Sequence, residues 1–261
     1  MLISAKEIIQ KSIDLYKKDY KLYLPYLILL FIPTGVLGLT EAMFGSFREA
    51  IKFYGFSTTT LVYFIIMVAS SLASIWISIA FIRTLVNTIN NQPTKTHKEE
   101  LEHSKKLIIP AIVASIVTSL AVFGGLLLLI VPGIIFAIWF TFSLYSVAIE
   151  ETSGVEAMRH SKQLVSGRWS DTFWRLLAPG FVFGLLMIII QFIVNWPLGV
   201  FLKLTEGYGT FYLILAGLVA LVNVAISLFI TPLSSLAPTI LYLELKKNPI
   251  AKNIDVPSEV K

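Results

Sequence analysis

An apolar run of about forty residues, from Leu107 to Ala148, limits how this chain can fold more than any other feature. As one straight helix it would measure about 60 Å, at about 1.5 Å per residue, whereas the hydrocarbon core of a bilayer is about 30 Å thick. The run must therefore reverse and cross a membrane twice. Gly124-Gly125 and Pro132-Gly133 are the two places that allow the reversal. A turn near 131–133 would put Pro132 in the first turn of the second helix, where proline is favoured.

The composition agrees with a membrane protein, since 56% of the residues are hydrophobic and only 14% are charged. We predict an all-α fold that forms a single integral membrane domain over residues 1–261, with six transmembrane helices and two interfacial amphipathic helices. The expected spans are about 22–40, 60–86, 107–130, 133–149, 176–196 and 211–245. We interpret Glu41 to Ser57 as an external loop and expect no cleaved signal peptide, because the first apolar run follows a long charged lead.

Lysine and arginine fall almost entirely on one side of the predicted spans. Of the 21 such residues, 18 lie in segments on the side of the N-terminus, and three, Arg48, Lys52 and Lys203, lie on the other. Because cationic residues are enriched in cytoplasmic loops, this predicts a multi-pass protein of the cell membrane with both termini in the cytoplasm. Basic residues that flank apolar runs serve orientation and anionic lipid, so we expect membrane lipids, and no nucleic acid, as partners.

Two segments have the periodicity of amphipathic helices, at residues 4–21 and 153–166. Each begins with a serine followed three residues later by a glutamate, which is the pattern of a capping box. Both segments are too polar to cross a membrane, so we expect them to lie at its interface. The residues expected to meet lipid headgroups or the interface are Lys17, Lys18, Arg83, Arg159, Lys162, Arg168, Trp169 and Trp174.

A shift of 149 residues aligns the two amphipathic segments. It places Ser4 on Ser153 and Glu7 on Glu156. The same shift also aligns Ser12 with Ser161, Leu15 with Leu164 and Tyr20 with Trp169. Both copies start on the same side of the membrane, so we predict a parallel internal repeat about an axis near the membrane normal. Convergence of two interfacial helices on one pattern is the alternative explanation.

Inside the spans, polar side chains are mainly amides and hydroxyls. Gln191, Asn195 and Asn223 form a possible intramembrane polar site, which would suit a small transporter or lipid translocator working between the repeats. Serines at positions 70, 74 and 78 form a small-residue stripe that we interpret as a helix-packing surface.

Candidates for catalysis and metal binding are weak in this sequence. His97 and His103 are spaced His-x5-His among Glu99, Glu100 and Glu102, but without cysteine or a second motif a solvated loop is the simpler interpretation. His160 stands alone, with no Ser-His-Asp arrangement recoverable from the sequence. We therefore predict a non-enzymatic protein without a cofactor or metal.

Four charged residues are expected on the cytoplasmic face, namely Arg83, Glu150, Arg159 and Glu244. One hypothesis joins them in an ion-pair ring that locks the two repeats together. The alternative is that each charge is solvated separately, as is usual for surface charges.

Three stretches carry a family resemblance: LIVPGIIFAIWF, AIEETSGVEAMRHSKQLVSGRWSDTF and the closing LYLELKK. In them the chain resembles the membrane domain that precedes the catalytic domain of some glycerophosphodiester phosphodiesterases, and the stand-alone bacterial and archaeal relatives of that domain. The matching positions are Pro132, Gly133, Glu150, Ser161, Gly167, Trp169, Leu241, Tyr242, Glu244 and Lys246.

The resemblance covers the middle third of the chain and its C-terminal helix. The chain lacks the proline that the family usually has near Tyr145-Ser146, and His160 stands where a basic residue is usual. The shared motifs are hydrophobic and topological, so the resemblance implies a fold and structural roles for its residues rather than an activity. A membrane scaffold or lipid-interacting module is the function that these features favour, with a transporter as the alternative.

Overall fold

The computed structural model describes residues 2–250, and every regular element among them is a helix. The helices are α1 (Ala5–Phe44), α2 (Phe47–Tyr54), α3 (Thr58–Ile89), α4 (His97–Ser104), α5 (Ile108–Leu128), α6 (Ile130–Phe140), α7 (Ser143–Glu150), α8 (Gly154–Val165), α9 (Trp169–Thr205) and α10 (Thr210–Lys247). Six helical stretches of the described chain are long and apolar enough to cross a membrane, which confirms the predicted multi-pass membrane protein. Lys252 and Lys261, two of the cations counted above, lie outside the described residues.

The long apolar run reverses at Leu129, which has an extended backbone between α5 and α6. This is slightly earlier than predicted and lies between the two candidate dipeptides, with Pro132 in the first turn of α6. A Cβ atom at Gly125 would come within 3.0 Å of the Gly133 backbone nitrogen. One glycine from each candidate dipeptide therefore allows α5 and α6 to pack backbone against backbone.

The return span is broken, contrary to the prediction of one helix over 133–149. α6 ends at Phe140 and α7 begins at Ser143, so Thr141 and Phe142 interrupt the helix inside apolar sequence. No proline or glycine marks the break, which is why the sequence pattern did not reveal it.

The first amphipathic segment and the first span form one helix instead of two. α1 runs from Ala5 to Phe44 and bends at Asp19, which has non-helical angles of φ −116° and ψ 19°. The loop predicted at Glu41 to Ser57 is also wrong in part, because α1 extends into it and residues Phe47–Tyr54 form α2.

Packing differs between the two ends of the spans. We call the end that carries α4, α8 and both described chain ends the termini end, and the end that carries α2, Leu129 and residues 206–209 the hairpin end. Buried side chains concentrate at the termini end, especially in α3 from Ile77 onward and in α10 from Leu228 onward. At the hairpin end large apolar side chains such as Leu120, Phe192 and Phe211 are exposed, as expected where lipid covers a helix.

Candidate functional site

Arg83, near the end of α3, is the centre of a buried polar cluster at the termini end. Its guanidinium pairs with Glu100 of α4 at 2.9 Å and with Glu151 after α7 at 3.2 Å, and it donates to the carbonyl of Ala148 at 2.9 Å. The Glu100 side chain is only 1% exposed, and its second oxygen accepts from Asn87. A charge this deeply buried needs its partner, so Arg83 holds α3, α4 and α7 in one arrangement. We call this set the Arg83 cluster.

Glu151 brings two further basic side chains into the Arg83 cluster. Its carboxylate contacts Lys106 at 2.6 Å and His103 at 2.5 Å, in addition to Arg83. The hydrogen bonds from Lys106 and His103 lower the pKa of this carboxyl to about 2. The residue itself is left-handed, with φ 56°, and caps the C-terminus of α7. That backbone turns the chain from α7 toward α8 while it points the carboxylate at Arg83, Lys106 and the His103 ring.

A second polar cluster joins α7, α8 and α10. Ser146 and His160 are hydrogen-bonded at 2.8 Å, and the His160 ring meets the Tyr242 ring edge to face. Tyr242 donates to Glu150 at 3.2 Å, and Lys246 pairs with the same oxygen at 2.6 Å. Burial is the main reason that the pKa of His160 lies below its ordinary value, which favours the neutral form of the ring.

Ser146 and His160 form a hydrogen-bonded pair like that of a catalytic dyad, but the serine hydroxyl is not accessible to a substrate. Ser146 is fully buried and also contacts Thr152. Among the described residues no carboxylate hydrogen-bonds to His160, so the usual third member of a triad is missing. The sequence did not predict this pair, because no local motif connects α7 with α8.

Ser161 of α8 stabilises the break between α6 and α7. Its hydroxyl donates to the carbonyl of Trp139 at 2.7 Å and accepts from the backbone nitrogen of Phe142 at 3.1 Å. The serine is fully buried, so it replaces hydrogen bonds that the interrupted helix cannot make. This gives a physical role to a residue selected above by the repeat alignment and by the resemblance.

Three of the predicted lipid-facing residues are engaged within the protein. Arg168 donates to the carbonyls of Leu164, Leu245 and Asn248, which ties the junction of α8 and α9 to the end of α10. Trp169 stacks on Phe173. Arg83 is likewise enclosed in its cluster.

The remaining predicted interfacial residues are exposed. Lys17 and Lys18 lie on the outer face of α1 beside the Asp19 bend, and Arg159 and Lys162 lie on the outer face of α8. Trp174 is 61% exposed on the first turns of α9. These five side chains are exposed at the termini end, and the Lys162 ammonium lies over the Trp139 ring at 4.5 Å.

The hypothesised four-residue ring does not form. Arg83 pairs with Glu100 and Glu151, while Glu150 pairs with Lys246. Glu244 accepts only from its neighbour Asn248, and Arg159 has no ion pair in the described part of the chain. The sequence identified the right face but assigned the wrong partners, because Glu100 comes from a loop interpreted as solvated and Glu151 was not among the four residues considered.

The three intramembrane amides lie on facing sides of α9 and α10. Asn195 and Asn223 exchange two hydrogen bonds, at 2.8 and 2.9 Å, and Gln191 reaches Ser227 at 3.5 Å. Asn223 and Ser227 also line an open groove of about 510 Å³ between α1 and α10, where Thr34 and Glu41 face them. The structure thus brings the predicted polar residues together, mainly as a hydrogen-bonded seam between two helices.

The two loop histidines have different surroundings. His103 belongs to the Arg83 cluster, whereas the His97 ring meets Tyr26 and its Nδ1 atom is buried without a hydrogen-bond partner. Within the described residues, no group of three or more His, Cys, Asp or Glu side chains is arranged to hold a metal ion.

Comparisons with known proteins return no match: no family model, no curated protein and no solved structure is similar to this chain. The resemblance to the membrane domain of glycerophosphodiester phosphodiesterases therefore stays a prediction.

Proposed function

We propose that this protein is a non-enzymatic membrane scaffold that binds anionic lipid headgroups through two cationic helix faces, one on α1 and one on α8. The observation that carries the proposal is that each amphipathic helix buries its apolar face in protein and leaves its cations exposed. Ile8 and Ser12 of α1, and Ala157 and Ser161 of α8, are fully buried. Helices held this way present cations at fixed positions, where each adds about 1 kcal/mol of attraction to an anionic surface.

We infer that these helices belong to two copies of a parallel repeat. Asp19 and Arg168, which the 149-residue shift aligns, have similar non-helical angles at the joint between amphipathic helix and span: φ −116°, ψ 19° and φ −141°, ψ 33°. Ser4 and Ser153 both cap their helices, although only the Ser4 box is complete. The aligned positions 8 and 157, 12 and 161, 23 and 172, and 30 and 179 are buried in both copies.

The proposal of a scaffold is supported by hydrogen bonds that join separate helices at the termini end. Arg175 of α9 donates to the carbonyl of Ile3 before α1, and Arg168 donates to the end of α10. The Arg175 bond joins the two proposed repeats, and the Arg168 bonds join the start of α9 to the end of α10 within the second repeat. We place this end in the cytoplasm, since the distribution of lysine and arginine favours that orientation.

The test compares thermal unfolding of the full chain in nanodiscs of phosphatidylglycerol and of phosphatidylcholine. We expect the wild type to unfold at a higher temperature in phosphatidylglycerol, and the K17Q/K18Q/R159Q/K162Q variant to lose most of that difference. A control with the same loss of charge, K95Q/K98Q/K203Q/K247Q, removes exposed cations outside the two faces and should keep it. Equal losses in the two variants would overturn the proposal.

A second candidate function is transport of a lipid or small molecule along the groove between α1 and α10. It is favoured by the polar lining of that groove, where Thr34, Glu41, Asn223 and Ser227 meet inside otherwise apolar helices. Replacing Gln191, Asn195 and Asn223 together by leucine should then abolish substrate-dependent thermal stabilisation. If stabilisation by a panel of lipids and solutes is the same in the variant as in the wild type, the groove is not the site.

A further inference from the structure

Helix α2 is specified by its own sequence signals at the hairpin end. Ser46 and Glu49 form a complete capping box at its start. Gly45 and Gly55 bound it with positive φ angles of 72° and 61°, a conformation that favours glycine. A segment that only connected two spans would need none of these features, so the chain builds a separate short helix at this place.

Hydrogen bonds and ring contacts hold α2 against the start of α3. The Tyr63 hydroxyl donates to the carbonyl of Gly45 at 3.1 Å, and the Thr60 hydroxyl donates to that of Gly55 at 2.9 Å. The Phe47 ring meets the Tyr63 ring edge to face at 5.4 Å. Both ends of α2 are therefore fixed relative to the span that follows.

Large apolar side chains remain exposed beside this helix. Phe53 is 82% exposed and Phe56 is 99% exposed. A groove of about 540 Å³ runs between α2 and α3, and Ile51, Phe56, Leu61 and Phe64 supply its apolar lining. Exposed phenylalanines beside an apolar groove are unfavourable in water, so this surface requires a cover.

The groove continues into the lipid-facing surface of α3, which identifies lipid as its cover. Leu61 and Phe64 are exposed residues of a membrane span, and they also line the groove. An acyl chain that lies along α3 can enter the groove without leaving apolar surroundings. Phenylalanine is among the residues that interfacial helices bury at the boundary between acyl chains and headgroups, and Phe53 of α2 is available for that role.

Charge on α2 complements the phosphate of the same lipid. Arg48 and Lys52 are both exposed and lie one turn apart, each one position after a residue that lines the groove, Phe47 and Ile51. Only three lysines and arginines of the chain were assigned to this side of the spans, and two of them are on this helix. The overall distribution of lysine and arginine disfavours cations on this side of the spans, so the two cations on α2 need a local explanation.

We propose that α2 is an interfacial helix that binds one phospholipid of the leaflet at the hairpin end, with an acyl chain in the groove and the phosphate beside Arg48 and Lys52. This site is separate from the proposed cationic faces on α1 and α8, which lie at the other end of the spans. A second copy of the chain or a soluble protein seated on the groove would leave the cations and the continuity with α3 unexplained.

The absence of cysteine from the chain allows single fluorescent labels to test the site. Full-length F56C, L61C and E206C variants, each labelled with the fluorophore NBD, are placed in phosphatidylcholine nanodiscs doped with phosphatidylcholine that carries a nitroxide on its acyl chain. We expect quenching of the label at position 56 to approach that at position 61, a lipid-facing site. Position 206, in the exposed loop at the same end, should be quenched much less. Quenching at 56 no greater than at 206 would overturn the proposal, as would self-quenching between labelled copies.

The role of the two cations is tested by titrating the nitroxide lipid into labelled F56C protein in detergent. The R48Q/K52Q change should raise the lipid concentration for half-maximal quenching several-fold. K203Q, which removes a cation from the same end but not from α2, should leave that concentration unchanged. Equal behaviour of R48Q/K52Q and K203Q would overturn the assignment of the phosphate to α2. Because neither readout involves the faces of α1 and α8, failure here is distinguishable from failure of the proposed scaffold function.

Discussion

At the termini end, α3 from Ile77 and α10 from Leu228 to Leu245 hold most of the buried side chains of their helices, whereas at the hairpin end the same helices expose Leu61 and Phe211. The polar groups differ in the same way. The termini end holds charged clusters that cross between helices, around Arg83 and around Glu150, while the principal polar contact between spans toward the hairpin end is the neutral amide seam of α9 and α10. One end is therefore fixed by charge and close packing, and the other relies on lipid to cover it.

The strongest way to test this contrast is to remove Arg83. In the R83M variant the nearly buried Glu100 carboxylate loses its cation, and breaking a buried pair from one side costs about 3–5 kcal/mol. We expect a loss of that order in the free energy of unfolding, measured by denaturant titration in mixed micelles. The double variant R83M/E100Q should recover part of the loss, because the uncompensated charge is then absent. An R83M protein as stable as the wild type would show that the cluster does not hold the termini end.

Ser161 and Ser12 provide a matched comparison within the termini end. Both are fully buried serines at aligned positions, but Ser161 bridges the break between α6 and α7, whereas Ser12 only donates to Ile8 in its own helix. S161A leaves buried backbone groups without a partner and should cost about 1–3 kcal/mol. S12A should cost clearly less, since its helix keeps its backbone bonds. Equal losses by thermal unfolding would mean that Ser161 does not stabilise the break.

Most of the topology followed from the sequence, whereas the partners at the termini end did not. Six spans were predicted from apolar runs long enough to cross a bilayer and from one run so long that it had to reverse. The thickness of the bilayer sets both requirements. The α6–α7 break was missed because its stabilising hydroxyl, Ser161, comes from another helix. Glu100 was missed because its loop was interpreted as solvated, and Glu151 was missed because no local pattern connects it with α3. Only the tertiary fold brings Arg83 to both. α2, in contrast, does have a local sequence signal, the serine and glutamate of the Ser46–Glu49 capping box.

Toward the hairpin end, a double-mutant cycle on Asn195 and Asn223 measures the amide seam. Hydrogen bonds between membrane helices contribute about 0.6 kcal/mol on average and rarely more than about 1.7 kcal/mol. We therefore expect N195L, N223L and the double variant to reveal a coupling free energy of about 1 kcal/mol in unfolding experiments. Coupling as large as the effect of R83M would contradict the contrast between the two ends.

The last prediction concerns the acid sensitivity of Glu151. Its folded pKa of about 2 is below its ordinary 4.5, so its contribution to stability is present above about pH 4.5 and is lost as the pH falls toward 2. The difference in unfolding free energy between the wild type and E151Q should be constant near pH 6 and should shrink below pH 4.5. If that difference is independent of pH down to 2.5, the ion pairs of Glu151 do not contribute to stability.

Distance measurements between spin labels at each end test the contrast most directly. In the cysteine-free chain, one pair of labels replaces the exposed residues Lys11 and Lys162 at the termini end, and a second pair replaces Lys52 and Lys203 at the hairpin end. Pulsed electron paramagnetic resonance in nanodiscs of different thickness gives the distribution of each distance. A termini end fixed by its charged clusters and close packing predicts a narrow distribution for the first pair that does not change with lipid, and a broader one for the second that does. A first distribution as broad and as lipid-dependent as the second would contradict the account.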